Sequence, residues 1–168
     1  FLALGATLLT VFAHPVAALI TVAVAVAYVL VYTPLKRITP WSLVPGAIVG
    51  AAPPLIGWVA CTGELPAGAW ALFGIVFAWQ IPHFLAIDWV HRDDYARGGY
   101  QMTSVRDPSG TLTGSISVLG SLVLIAASLA PLAAGLGGRA YAVGALVLGI
   151  AMLGMSIRLH LLRSRQAA

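Results

Sequence analysis

The sequence predicts an all-α, polytopic transmembrane helical bundle, and three observations carry that reading. Of the 168 residues, 60% are hydrophobic and 8% charged, where soluble domains carry about 25% charged residues. Mean hydropathy is +0.96. The apolar residues fall into five runs, each close to the 20 or so residues that cross a bilayer. Run length excludes a β-barrel, whose strands are about 10 residues of alternating pattern. No internal repeat, low-complexity tract or soluble domain interrupts the chain, so residues 1–168 read as one membrane domain.

Phe1 to Ala13 is apolar but too short to span, and His14-Pro15 closes it. With no charged n-region it does not read as a signal peptide, but as a helix cut partway along. Val16 to Thr33 is the first full span, followed by a basic turn holding Pro34, Lys36, Arg37 and Pro40. Ser42 to Ala60 is the second. Its Gly46 and Gly50 permit close helix approach, and its Pro53-Pro54 pair removes backbone donors, predicting a break or kink. Cys61 to Ala67 is a short loop. Cys61 has no partner in the chain and reads as a small apolar filler. Gly68 to Ile87 is the third span, with Pro82 near its end, and Asp88 to Leu112 is a long polar segment. Thr113 to Leu136 is the fourth span, Gly137-Gly138 a tight turn, and Arg139 to Ile157 the fifth.

The formal charge of +4 is unevenly spread, so it signals orientation rather than nucleic acid. Eight of the nine basic residues (Lys36, Arg37, Arg92, Arg97, Arg106, Arg158, Arg163, Arg165) lie on one side, and Arg139 alone on the other. The positive-inside rule places the eight in the cytoplasm of a bacterial cell, or in the matrix of a mitochondrion. All four Asp residues share that side.

Three of them (Asp88, Asp93, Asp94) sit with His83, His91, Arg92 and Arg97 between Trp79 and Val105. Charge is costly beside a membrane, so the cluster is a functional candidate. If the third helix continues past Ile87, Gln80, His83, His91 and Asp94 fall on one face, Asp88 flanks it, and Asp93 points away toward solvent or Arg97. A helix stop is expected at Gly98-Gly99. Paired carboxylates at a membrane mouth suit Mg²⁺, which shares oxygen ligands with phosphates. Lys36 and Arg37 suit the same phosphates, as a point charge and a bidentate fork. Together they describe a diphosphate site above an apolar cavity. A solvated loop beside the membrane would also carry Asp and Arg. A lone membrane His is usually a packing residue, which is the reading for His14 and His160. His83 and His91 stand eight residues apart, roughly 12 Å on one helix, so they cannot clamp one iron together.

The pieces YTPLKRITPWSLVPGAIVGAAPPLIGW (Tyr32 to Trp58), FAWQIPHF (Phe77 to Phe84) and DDYARGGYQMTSV (Asp93 to Val105) resemble the protohaem IX farnesyltransferase (haem O synthase) branch of the UbiA-type intramembrane prenyltransferases. Their order and spacing match that family from about Tyr28 through Val105. The resemblance implies a fold of nine transmembrane helices around a central cavity. It also implies transfer of the farnesyl group of farnesyl diphosphate to a vinyl group of haem B, giving haem O for haem-copper oxidases. Two acidic motifs with Mg²⁺ between them serve that chemistry in the family. Carried over, the metal and catalytic residues are Asp94, Asp88 and Asp93, and the diphosphate ligands Lys36, Arg37, Tyr95 and Arg97, with Tyr100 a further candidate. The haem-facing residues would be His83, Gln80 and His91. An N-x-x-x-D-x-x-x-D motif is absent, and no acidic residue precedes Tyr32. The expectation is therefore a fragment truncated at both ends, with five full spans and a partial N-terminal helix, inactive alone. A quinone-precursor prenyltransferase is the alternative chemistry, against which WQ-x-PHF argues. A non-catalytic haem-carrying membrane subunit is the alternative class.

Overall fold

A computed structural model describes residues 1–163. Arg165, counted above for orientation, lies outside them. Among the described residues there is no strand, and five helical segments of 21 to 24 residues are long and apolar enough to cross a membrane. The protein is an integral membrane protein.

The short helix α1 (Leu2–Phe12) ends at Ala13, just before His14. There the chain starts afresh rather than only stopping. His14 Nδ1 accepts the Val16 N–H at 3.2 Å, and Pro15 occupies the first turn of α2 (Pro15–Ala27), where its missing donor costs nothing. The same span runs on to Leu35 through a wider turn at Tyr28–Tyr32. The Thr33 N–H and hydroxyl both reach back to the Tyr28 carbonyl. Pro34 follows, and its missing N–H accounts for the disturbed ladder.

The second span, Pro40–Thr62, contains α3 (Leu43–Ala51) and α4 (Pro53–Thr62). The proline pair divides this span into two helices at Ala52. Ala52 keeps helical angles (φ −67°, ψ −29°) and bonds Val49 in a tightened turn. Cys61 lies within α4, exposed, and the loop opens at Gly63, whose φ of +76° favours glycine.

Helix α5 (Ala67–Val90) is the third span and the centre of the bundle. It packs against α3 and α4 on one flank and against α8 (Thr111–Ala133) on the other, and α9 (Arg139–Leu162) packs on α8. The spans thus form an arc in which each leans mainly on its chain neighbours. Pro82 inside α5 is housed by Gly120 of α8. A Cβ on Gly120 would come within 3.0 Å of the Pro82 ring. Ser117 and Ser121 bond Ser156 across the α8–α9 seam at 2.9 and 2.8 Å. Small residues and hydroxyls join helices where lipid offers no hydrophobic drive.

Between α5 and α8 the polar segment folds into α6 (Arg92–Arg97) and α7 (Thr103–Arg106). The stop expected at Gly98-Gly99 is realised, with Gly99 at φ +73°. The continuous helix through Asp94 is not. At His91 the backbone leaves the helical region (φ −101°, ψ 16°), so α6 restarts with a new phase. The fourth span begins two residues earlier than expected, because Asp107 accepts the Thr113 N–H at 2.8 Å and the Ser109 hydroxyl at 2.8 Å. It also ends earlier: Gly135, not Gly137-Gly138, takes the left-handed position (φ +72°), and the Leu136 N–H closes on Pro131.

Candidate functional site

An apolar cavity of about 310 Å³ opens between α2, α3, α5 and the polar segment. Its depth is set by Gln80, which is buried at 4% exposure. The Gln80 amide nitrogen donates to the Ala47 carbonyl at 3.3 Å and the Val76 carbonyl at 3.2 Å. Its oxygen occupies the space beside Gly50 that any side chain there would fill. One turn nearer the surface, the Tyr32 ring packs on Gly46, where an added Cβ would stand 2.8 Å from it. Tyr28 meets Tyr32 at 5.2 Å between ring centres, so the walls below the mouth are aromatic.

Beside this cavity stands a cationic groove lined by Lys36, Arg37 and Tyr100. Lys36 Nζ lies 5.6 Å from the Tyr32 ring centre and 5.3 Å from that of Tyr100, and the Arg37 guanidinium 5.7 Å from Tyr100. The Gln101 N–H donates to the Lys36 carbonyl at 3.0 Å, which ties the segment after α6 to the basic turn. Tyr95 lines the cavity and meets Tyr100 edge-on at 6.0 Å. Burial pushes the Tyr95 phenol above its ordinary range, and the charge of Asp88 and the neighbouring Tyr100 add to the shift. Tyr95 therefore remains a neutral O–H donor at neutral pH.

Of the residues singled out in the sequence, Gln80 and Tyr95 line this cavity, whereas Lys36, Arg37 and Tyr100 line a neighbouring groove of about 410 Å³ with Thr33 and Pro34. The carboxylates do not form one group. Asp94 pairs with Arg97 and stands 3.5 Å from His91 Nδ1, on the exposed side of α6. Asp93 pairs with Arg92 at 3.6 Å. Asp88 is 2% exposed, and both its carboxylate oxygens are engaged by Ser104: Oδ2 accepts the N–H at 2.9 Å and Oδ1 the hydroxyl at 2.5 Å. The expected stripe from Gln80 through His83 to His91 and Asp94 is lost with the break at His91. His83 instead stacks on Trp79, 4.5 Å between ring centres, and Trp79 lines a second cavity of about 650 Å³ between α5, α8 and α9.

Among the described residues no three His, Cys, Asp or Glu side chains are grouped to hold a metal ion. Asp93 and Asp94 do supply exposed, adjacent carboxylate oxygens, the donor type Mg²⁺ takes. They fit part of such a site, whereas the oxygens of Asp88 are already engaged.

Sequence reasoning missed Ser104, sixteen residues from Asp88 with no local signal to join them. It also missed Tyr28 and Tyr32 as cavity walls. Tyr32 was within reach, since Tyr32 and Lys36 stand at i, i+4. Asp107 as a helix cap was legible too, in the run Asp107-Pro108-Ser109-Gly110-Thr111.

The model of the UbiA prenyltransferase family matches residues 1–168. A protein named protoheme IX farnesyltransferase from Solibacter usitatus is 47% identical over 137 residues, covering 82% of this chain and 47% of the relative. Proteins of the same name from Salinibacter ruber and Opitutus terrae are each 43% identical, covering 84% and 90% of this chain and 50% and 51% of themselves. The chain thus spans about half the length of the curated relatives it matches. No solved structure matches significantly.

Proposed function

The chain belongs to the UbiA prenyltransferase family, and from that premise we propose that it transfers a farnesyl group from farnesyl diphosphate to a vinyl group of haem B, giving haem O. The relatives bearing the name protoheme IX farnesyltransferase support the choice of donor and acceptor. The observation that carries the reading is a cationic groove of Lys36, Arg37 and Tyr100 that meets, at the Tyr32 and Tyr95 rings, an apolar, aromatic-walled cavity. A diphosphate with a hydrocarbon tail matches that division of polarity. Lys36 and Arg37 take the phosphate charge, and the Tyr95 hydroxyl donates to a phosphate oxygen. Arg97, two residues beyond Tyr95 on α6 and paired with Asp94, is assigned the same anion. Asp94 and Asp93 would hold Mg²⁺, which when bound neutralises charge gathering on the leaving diphosphate. The apolar walls exclude water from the allylic carbon. The polar segment faces the cytoplasm or matrix, on the balance of basic residues.

The test is to supply the intact membrane protein with farnesyl diphosphate, haem B and Mg²⁺, and to follow haem O and diphosphate. Both should appear together and depend on Mg²⁺. Haem binding with no diphosphate release would refute the enzyme reading in favour of a haem carrier. Transfer to a quinone precursor in place of haem B would correct the acceptor.

A further inference from the structure

Gln80 presents an oxygen that the fold holds in place without bonding. Its amide nitrogen is committed to two carbonyls, Ala47 and Val76. Two acceptors on that side fix which end of the amide is nitrogen, because an oxygen there would face both carbonyls unbonded. The Oε1 atom is left toward the cavity beside Gly50 with no hydrogen-bond donor among the described residues. An amide oxygen that lacks a protein donor is free to accept whatever donor or positive charge enters the cavity.

The ladder of groups says where it stands. Lys36 Nζ is 5.6 Å from the Tyr32 ring centre, and that ring rests on Gly46. From Gly46 to Gly50, where the Gln80 oxygen lies, is one turn of α3, about 6 Å. A diphosphate held by Lys36 would therefore direct its allylic group past the Tyr32 ring toward the Gln80 oxygen.

We propose that the amide oxygen of Gln80 is a catalytic group, stabilising the positive charge that develops on the allylic carbons of the donor; this rests on the function proposed above. In the step, the C–O bond to diphosphate breaks and its electron pair leaves on the diphosphate. The π pair of the acceptor alkene forms the new C–C bond. The charge passes to the acceptor, which discharges it by losing a proton to water or by capturing water and releasing a proton. The contribution of Gln80 is a dipole already oriented before charge appears, so that no reorganisation is needed during the reaction.

The experiment compares Gln80→Leu and Gly50→Ala with the unaltered intact protein in membranes. Gln80→Leu removes the dipole at similar size. Gly50→Ala keeps Gln80 but drives its oxygen from its place. Each should lower kcat for farnesyl transfer about tenfold to a hundredfold, with KM for farnesyl diphosphate within about twofold, the split expected when only the transition state is touched. If Gln80→Leu fails to accumulate in the membrane, Gly50→Ala alone decides. Transfer by the unaltered protein with unchanged kcat in the variants would overturn the Gln80 assignment and leave the enzyme reading intact. A raised KM for the acceptor with unchanged kcat would also overturn it, making Gln80 an acceptor-binding residue. No transfer of any kind by the unaltered protein would sink the function first, and this inference with it.

Discussion

Asp88 offers a prediction in which two roles give opposite orders of damage. As the structure has it, the Asp88 carboxylate fastens α5 to α7 through the Ser104 N–H and hydroxyl. Asp88→Ala leaves a buried N–H without a partner and removes the anchor of the segment that carries Tyr100 to Lys36. Hydrogen bonds to a charged group contribute about 1.5–3 kcal/mol each, and an orphaned buried donor costs about 1–3 kcal/mol. The expected loss is therefore about 3 kcal/mol of stability. Asp88→Asn behaves differently. Its oxygen can keep the Ser104 N–H, and its NH₂ can donate to the Ser104 oxygen while the serine hydroxyl turns to the Asp88 carbonyl, which it already reaches at 3.0 Å. Only the charge is lost, about 1 kcal/mol. Thermal unfolding in detergent and steady-state prenyl transfer across a Mg²⁺ titration would measure both effects. The strut role requires alanine to be far worse than asparagine, half-saturation by Mg²⁺ to stay put, and Ser104→Ala to reproduce part of the defect. If asparagine cuts turnover about a hundredfold at unchanged stability, with weakened Mg²⁺ dependence, Asp88 is a metal ligand and the strut reasoning is wrong.

Arg37→Lys keeps charge near Tyr100 but loses the fork, and should raise KM for the prenyl diphosphate several-fold, with Lys36→Ala at least as damaging; unchanged kinetics in both would remove the pair from the site. Tyr95 holds its proton more tightly in the fold than in the unfolded chain, so its contribution to stability is present below the ordinary value of 10.0 and is lost as pH rises past it. The alkaline fall in unfolding stability should accordingly flatten in Tyr95→Phe. At Asp107, burial pulls the carboxyl up, but hydrogen bonds from Thr113 and Ser109 outweigh it and hold the group below 3.8. Its contribution is present above that value and lost as pH falls through the folded value, and Asp107→Ala should cost about 0.5–2 kcal/mol at neutral pH, read by unfolding, while Asp107→Asn costs less. With Cys61 replaced, a cysteine at Ser109 should resist an impermeant thiol reagent added outside intact cells, and ready labelling there would reverse the assigned orientation.

The sequence by itself determined the membrane class, the number of spans and the identity of the basic turn. These follow from run length and charge placement, which act through the solvent and need no tertiary partner. The helix stop at Gly98-Gly99 belongs to the same kind, since turn chemistry is local. Tertiary structure decided where the carboxylates stand. Helical phase alone put Asp94 under Gln80 and His83, but phase is lost wherever one residue leaves the helix, and His91 does. The family resemblance carries Asp88 over as a ligand. Its partner is Ser104, brought to it by a loop whose path no short-range pattern records. Gln80 was visible as a polar residue in a span. That its nitrogen is committed and its oxygen faces the cavity depends on Gly50 leaving room and on the Ala47 carbonyl of another helix, and contacts of that range exist only once the helices have packed.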